Sequence, residues 1–430
     1  MARRNDAPTS RTLTPEALLR SPVAGSLRDA VEAAGSAVGA NAQQRGSASA
    51  AQGRRRLVLL LTLLLYGFGL VMVASATSGT SLLASGDAWQ YTRRQALFGA
   101  GGIAVMLLVM RIPIGAVRRF TPLLLGISVA MLGLAFVPGI SETVNGASRW
   151  VTLAGFTFQP SEFAKVAVVL FVAAHLAVNR PPVGLTWPAL RGSSLLVGFG
   201  VAGVIFLQRD LGTATVTAAV VVALHLLAGM RWKLLLAVTL GSAGLVMVGI
   251  LSEEFRRQRF LAFLDPFADP HGAGFQLVQG QVAIGSGGPL GVGLGGSVQK
   301  IRYVPEAHTD MIYAIIAEEL GFVGVLVVLA SFAALAVVGL RCATAARTRY
   351  ESLLAAGLTL AICGQAMLNV AGVVGVMPLT GITLPLVSYG GSSLLVTFAA
   401  LGLLANVAGR GHDVADEPAS TDAVDGSRVG

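Results

Sequence analysis

Apolar runs recur along this chain of 430 residues at a spacing that only a lipid bilayer explains. They lie near 57–76, 96–110, 122–137, 162–178, 193–207, 213–229, 234–251, 312–340, 353–371 and 392–408. Most approach the 17–25 residues a helix needs to cross a hydrocarbon layer about 30 Å thick. Charged residues make up 12% of the chain and hydrophobic ones 54%, with a mean hydropathy of +0.72. A water-soluble domain carries about 25% charged residues, so a soluble enzyme, a coiled coil and a disordered scaffold are all disfavoured. The expected architecture is an all-α integral membrane protein with about ten transmembrane helices and a long extracytoplasmic loop between helices 7 and 8.

Three segments follow from that pattern. Residues 1–56 form a cytoplasmic tail with no sustained apolar run, too poor in buriable surface to fold alone. Within it, Thr14-Pro15-Glu16 has the form of a helix start, and residues 25–35 admit an amphipathic surface helix. Residues 57–409 form the transmembrane domain, and 410–430 a polar cytoplasmic tail. The first apolar run begins only at Leu57, so the amino terminus does not read as a signal peptide.

The net charge of +9 does not indicate nucleic acid, because the arginines and lysines cluster between spans. Arg54–Arg56, Arg111, Arg118, Arg119, Arg180, Arg191, Arg231, Lys233, Arg341, Arg347, Arg349 and Arg410 fall on alternate connections. By the positive-inside tendency both termini are cytoplasmic. Trp89, Trp150, Trp187 and Trp232 fall at span edges, as interfacial anchors do. Cys342 and Cys363 make no disulfide framework, and no Cys/His spacing suits a metal.

The outer side then owns connections 138–161, 252–311 and 372–391, which concentrate the remaining chemistry. Asp265 and Asp269 each precede a proline and read either as turn formers or as a catalytic carboxylate. Glu306, His308 and Asp310 follow, with Asp310 also a candidate helix cap, and His308 with Asp310 too few ligands for a metal. Glu318 and Glu319 stand at an expected helix start, where an arginine partner is one reading. Glu162 and Lys165 share a helix face inside an apolar span, as a neutralising pair or a functional one. Arg149 is placed to meet phosphate or to snorkel. Gln208-Arg209-Asp210 makes a tight connection, and Ser388 sits in the uncharged, hydroxyl-rich run 378–393 of a connection that reads as re-entrant, where Ser392 or Ser393 is a candidate cap. Gly291-Val292-Gly293-Leu294-Gly295-Gly296 matches G-x-G-x-x-G only formally, since no strand precedes it. Its glycines suit close backbone packing.

Residues 145–165, 208–213, 264–319 and 378–394 together resemble the signature blocks of the SEDS family of cell-shape, division and sporulation proteins. Gly296-Ser297-Val298-Gln299-Lys300 followed by Tyr303–Asp310 is similar to its FtsW-like branch rather than to RodA-type members. Arg209 departs from the proline common there, and Met311-Ile312-Tyr313 from the more usual Phe-Ile-Phe. The resemblance implies a multi-pass protein of the bacterial inner membrane that polymerises lipid II into β-1,4 glycan during septal wall synthesis. It implies an inverting peptidoglycan glycosyltransferase, with a polyprenyl diphosphate-linked glycan as donor. It also implies a class B penicillin-binding protein (a transpeptidase) as partner, alongside other divisome membrane proteins and membrane lipids. The family's essential aspartate falls on Asp269. Arg149, Glu162, Lys165, Gln208, Asp210, Lys300, Glu306, His308, Asp310 and Ser388 are the expected substrate-binding residues, with Arg149, Lys165, Arg209 and Lys300 the candidate cations for the diphosphate. No dedicated cofactor site is visible, although a divalent cation such as Mg2+ or Mn2+ can share the diphosphate charge. An elongation polymerase, a lipid II flippase and a non-catalytic scaffold are the competing readings.

Overall fold

The computed structural model describes the backbone of residues 22–144, 147–153, 156–179, 181, 193–252, 254–300 and 307–410. Side chains are described from Ala48 onward, except at residues 84, 142–144, 147, 148, 153, 156, 255 and 256.

Each of the ten apolar runs lies on a helix. In chain order these are α1 (Pro22–Ser85), α2 (Gln90–Val109), α3 (Ile114–Leu134), α4 (Pro160–Val178), α5 (Ser194–Leu207), α6 (Leu211–Leu227) and α7 (Trp232–Leu251). Then come α8 (Glu254–Leu264), α9 (Phe275–Gly287), α10 (Ile312–Thr344), α11 (Arg349–Val374) and α12 (Gly391–Ala408). Among the described residues, seven helices are long and apolar enough to cross a membrane: Ala48–Leu83 of α1, and α3, α4, α7, α10, α11 and α12. Helices α5 and α6 are apolar but shorter. The protein is a multi-pass membrane protein.

Three features differ from the sequence expectation. The backbone is already helical from Pro22, where the reading left an unstructured tail; an Ala-rich stretch with proline only at its first position favours that. The connection 252–311 contains two helices, the charged α8 and the short α9, rather than a loop throughout. The connection between α3 and α4 folds into a three-stranded antiparallel sheet, β1 (Ser141–Val144), β2 (Ala147–Leu153) and β3 (Phe156–Phe158). Thr143-Val144 and Val151-Thr152 supply β-branched residues, but runs this short give little periodicity to read.

The core lies where α4, α11 and α12 meet. Buried residues make up 83% of the apolar window of α12 and 78% of that of α11, but only 11% of that of α7. Helix α7 therefore faces outward along nearly its whole length, which a bilayer tolerates and water does not. Helices α2 and α12 pack together, as do α10 with α11, α3 with α4, and α5 with α6. The close pairings run over small residues. A side-chain carbon on Gly102 would fall 2.3 Å from the Phe398 ring, and one on Gly402 would fall 2.7 Å from the Met106 carbonyl.

Helix α10 is broken at Gly321, whose φ of 64° and ψ of −159° are open only to glycine. The glycine-rich segment 288–293 fits into the break. Val292 and Gly293 donate to the carbonyls of Glu318 and Glu319, and Phe322 donates to that of Gly288. The backbone groups freed by the break are thereby satisfied within protein. Glu318 and Glu319 thus end the first half of this helix instead of starting it, seven residues beyond Ile312.

The uncharged segment between α11 and α12 is buried inside the bundle at Ile382, Leu384 and Leu386–Ser388. Helix α1 passes directly over it. A side-chain carbon on Gly69 would lie 2.5 Å from both the Leu386 carbonyl oxygen and the Val387 Cα. The predicted helix N-cap serines do not cap their own helix, whose N-cap is Gly390. Ser392 instead accepts from the Gln159 amide at 3.2 Å, and Ser393 accepts from the Thr383 hydroxyl at 3.1 Å.

Candidate active site

The segment joining α8 to α9 is shaped around one carboxylate. Asp269 is exposed, and its two oxygens accept from the backbone amides of Gly272 and Ala273, each at 3.0 Å. The turn is closed by the Gly274 amide, which donates to the Asp269 carbonyl at 3.0 Å. Two glycines make this possible. A side-chain carbon on Gly272 would stand 2.1 Å from the Asp269 carboxylate, and one on Gly274 would stand 2.1 Å from the Pro266 carbonyl. A carboxylate has roughly four acceptor positions, so two amides aim Asp269 and leave it able to take a proton. Asp265 is also exposed, but it receives only the Phe267 amide, at 3.2 Å, in a simple side-chain turn. Both carboxylates thus close side-chain turns, Asp269 with two backbone amides and Asp265 with one.

The same segment runs into a charged cluster. Gln276, in the first turn of α9, donates to Asp310 at 3.4 Å. Asp310 also lies beside Gly381, as do both terminal nitrogens of Arg149, with all three side-chain atoms 3.8–3.9 Å from where a Gly381 Cβ would be. Arg149 is the extra residue of a β-bulge: Glu142 pairs with Trp150 and Thr143 with Ser148, so Arg149 has no cross-strand partner. Bulges re-aim side chains in this way beside functional sites. Its Nε is buried without a hydrogen-bond partner among the described residues. Asn369, on α11, holds the floor by donating to the carbonyls of Asp310 at 2.8 Å and Ile382 at 2.7 Å.

Arg259 on α8 completes the cluster, and no motif in the sequence singled it out. Its side chain is exposed, with protein crowded on one side of it. That desolvation lowers its pKa, the Arg149 charge lowers it further, and Asp310 opposes both. Two arginines thus share one carboxylate at this end of the bundle. His308 stands next to them, its ring 4.9 Å from that of Tyr91 and 5.5 Å from that of Tyr389, while its carbonyl accepts from the Tyr389 amide. Among the described residues, no three His, Cys, Asp or Glu side chains are grouped to hold a metal ion. Glu306 lies outside the described residues.

The other expected site residues go into buried networks. Glu162 and Lys165 pair at 2.9 Å with side chains 4% and 6% exposed. Lys165 also donates to Gln365, which donates to the Thr383 carbonyl at 3.0 Å. Asp210 is fully buried; it accepts from Ser161 at 2.7 Å, from Gln159 at 2.8 Å and from the Thr213 amide at 3.1 Å, capping α6. Gln208 is buried and donates to the Leu132 carbonyl at 2.7 Å. Arg209 adopts a φ of 64°, so the residue that replaces the family's proline has a left-handed backbone that proline cannot take. Lys300 is buried against Glu319 at 2.7 Å, and Glu319 also accepts from Ser75 of α1. Glu318 accepts from the Ser297 hydroxyl and the Val298 amide. Neither glutamate meets an arginine in these contacts. Ser388 is buried, accepting from the Leu384 amide at 2.8 Å, and its carbonyl accepts from Gln95 of α2. Thus the segment that carries Asp269 leads through Gln276 to Asp310 and Arg149, whereas Glu162, Lys165, Gln208, Asp210, Lys300 and Ser388 are buried in hydrogen-bonded networks.

Residues 55–412 match the family model FtsW/RodA/SpoVE, described as cell cycle protein. A probable peptidoglycan glycosyltransferase FtsW of Geobacter metallireducens is 37% identical over 344 residues, which cover 80% of this chain and 91% of that protein. The protein of the same name from Thioalkalivibrio sulfidiphilus is 41% identical over 352 residues, covering 80% and 86%. Among solved structures, one chain of a peptidoglycan synthase complex superposes with a TM-score of 0.67 at 31% identity, covering 82% of this chain and 96% of that one. The rod shape determining protein RodA of Thermus thermophilus superposes with a TM-score of 0.60 at 28% identity, covering 82% and 95%. In sequence and in fold alike, this chain belongs to the FtsW/RodA/SpoVE family.

Proposed function

We propose that the chain is a peptidoglycan glycosyltransferase that polymerises lipid II at the outer face of the bacterial cytoplasmic membrane during septal wall synthesis. The observation that carries this reading is the carboxylate of Asp269, aimed by two backbone amides on a segment that leads into the Arg149–Asp310–Arg259 cluster. The names of the FtsW relatives support the activity and the septal role. The arginines at alternate span ends support cytoplasmic termini, and the domain is taken to be 57–409 with a tail at each end.

In the proposed reaction Asp269 takes the proton of the acceptor's GlcNAc 4-hydroxyl as its oxygen attacks the anomeric carbon of the donor MurNAc. The bond from that carbon to the diphosphate oxygen breaks on the opposite side, so the configuration inverts and a β-1,4 link forms. The proton leaves Asp269 to solvent, to which the carboxylate is open. Arg149 and Arg259 stabilise the charge that develops on the departing diphosphate, the transition-state role in which fixed cations contribute most. Asp310 holds both guanidinium groups in place before the diphosphate arrives. Lys165 and Lys300, each already paired with a buried carboxylate, position helices instead of meeting the substrate. The described residues offer no ligand set for a resident Mg2+ or Mn2+, and Asp310 is shared by two cations; no step is routed through a metal.

The partner is proposed to be a class B penicillin-binding protein, on the strength of the superposition with a chain from a synthase complex that couples polymerization to crosslinking. A transporter is the competing class, since the break in α10 and the buried Glu162–Lys165 pair are features that transporters also use. Proteoliposomes containing the purified chain and lipid II separate the two. Glycan polymer formed by substrate already in the outer-equivalent leaflet supports the proposal. Transfer of lipid II between leaflets with no polymer, in the presence and absence of the transpeptidase, refutes it.

A further inference from the structure

The bundle carries a second charged groove at the end remote from Asp310. On α11, Glu351 lies about 27 Å from Asn369 by helix rise, and on α12, Arg410 closes the end opposite Ser393. The ends of α3, α10, α11 and α12 converge there with the middle of α1. Arg54 and Arg55 of α1 come from one side. Arg55 lies against Gly409, where an added side-chain carbon would be 3.0 Å from its Cδ. Arg54 is close enough to the buried Cys342 thiol of α10 to act on it electrostatically. Arg118 of α3 lies over the Tyr350 ring at 5.6 Å. Arg410 pairs with Glu351 at 3.3 Å and donates to Asn406 at 3.3 Å. Arg410 therefore pairs with Glu351, and Arg54, Arg55 and Arg118 gather at the same end of the bundle.

Membrane topology requires positive charge at such an end, but it does not require burial. Here the Glu351 side chain is only 5% exposed, and one of its oxygens, like the Nε of Arg54, is buried without a hydrogen-bond partner among the described residues. An unpartnered donor on a cation and an unpartnered acceptor on a carboxylate, at the same end of the bundle, suit a ligand that accepts and donates at once. A phosphodiester supplies the acceptor oxygens and the negative charge. A hydroxyl on the same headgroup supplies the donor.

We propose that this groove binds the headgroup of an anionic phospholipid bearing hydroxyls, of the phosphatidylglycerol type, seated between the middle of α1 and the ends of α3, α10, α11 and α12. The phosphate lies among Arg54, Arg55 and Arg118, and a headgroup hydroxyl donates to the unpaired oxygen of Glu351. Basic pockets between helix ends are known to take anionic headgroups. The groove is separate from the proposed catalytic surface, so its test stands apart from that reading.

The test is native mass spectrometry of the purified full chain equilibrated with an equimolar mixture of phosphatidylglycerol and phosphatidylcholine. Arg55→Gln/Arg118→Gln removes two of the cations while leaving the Arg410–Glu351 pair intact. Arg231→Gln/Lys233→Gln removes the same charge elsewhere at that end of the bundle. Helical circular dichroism and thermal melting in detergent verify that both variants fold. Phosphatidylglycerol retention is expected to weaken about 30-fold in the first variant and by less than threefold in the second. Equal losses in both, no loss in either, or equal retention of the two lipids by the parent overturns the proposal. Displacement of the lipid by millimolar inorganic phosphate also overturns it, because the site would then be one for free phosphate.

Discussion

Gly272→Ala tests whether the position of one carboxylate sets the rate. Gly272 is exposed on the segment before α9, and its φ is not in the left-handed region, so alanine brings no backbone strain. Its new carbon would stand 2.1 Å from one Asp269 oxygen and 2.7 Å from Cγ, whereas ordinary contact begins near 3.4 Å. The carboxylate must therefore retreat by about 1.3 Å, the difference of those two distances. The Asp269 oxygens are the free end of a side chain, so they can move without disturbing the core. Stability should stay within about 0.5 kcal/mol of the parent. A displacement of about 1 Å at a reacting group costs on the order of 10²-fold in rate. The assay is initial-rate polymerisation of lipid II by purified protein, with thermal melting in detergent alongside. Full activity with an unchanged melting temperature would refute the reasoning, because the carboxylate would then act from wherever it sits or not at all.

Lys165→Met should destabilise the bundle by about 3–5 kcal/mol, because Glu162 is left buried and unpaired; the double variant with Glu162→Gln should recover most of it, as a melting-based double-mutant cycle would reveal. Gly321→Ala forces a side chain into a glycine-only conformation and within 2.3 Å of the Gly291 amide nitrogen, so a loss exceeding about 1–3 kcal/mol is expected, visible as a lower melting temperature. Asp210→Ala removes the acceptor of three hydrogen bonds and should cost about 1–3 kcal/mol, while turnover per folded molecule remains at the parent level; a specific fall in turnover at full stability would return Asp210 to the catalytic surface.

The helices were legible in the sequence because a bilayer imposes length and apolarity on each span separately. The ten runs from Leu57 onward each find a helix, and the small residues that let those helices approach, such as Gly102 and Gly402, could not be ranked without knowing their neighbours. The β-sheet was not legible. Its strands are three to seven residues long, and its decisive feature, the bulge at Arg149, depends on register with β1. Asp269 stood out in the sequence only through the family resemblance, and the structure adds why glycine follows at 272 and 274. Arg259 was missed because it sits in an ordinary charged stretch, Arg256-Arg257-Gln258-Arg259, with nothing in the chain to distinguish one arginine from the next. Scarcity of charge made Asp210, Lys165 and Lys300 conspicuous as candidates for chemistry. The structure buries all three in hydrogen-bond and ion-pair networks, and a polar group inside a bundle must be paired whether or not it reacts.

The most direct test of the central claim compares Asp269→Ala with Asp265→Ala in lipid II polymerisation by the purified chain together with its transpeptidase. Both residues are exposed, both precede proline, and both receive backbone amides, so effects on folding should be alike. Loss of a general base lowers a rate by about 10²–10⁴. The expected result is a drop of that size for Asp269→Ala and at most a few-fold change for Asp265→Ala. Polymer made at the parent rate by Asp269→Ala would contradict the account.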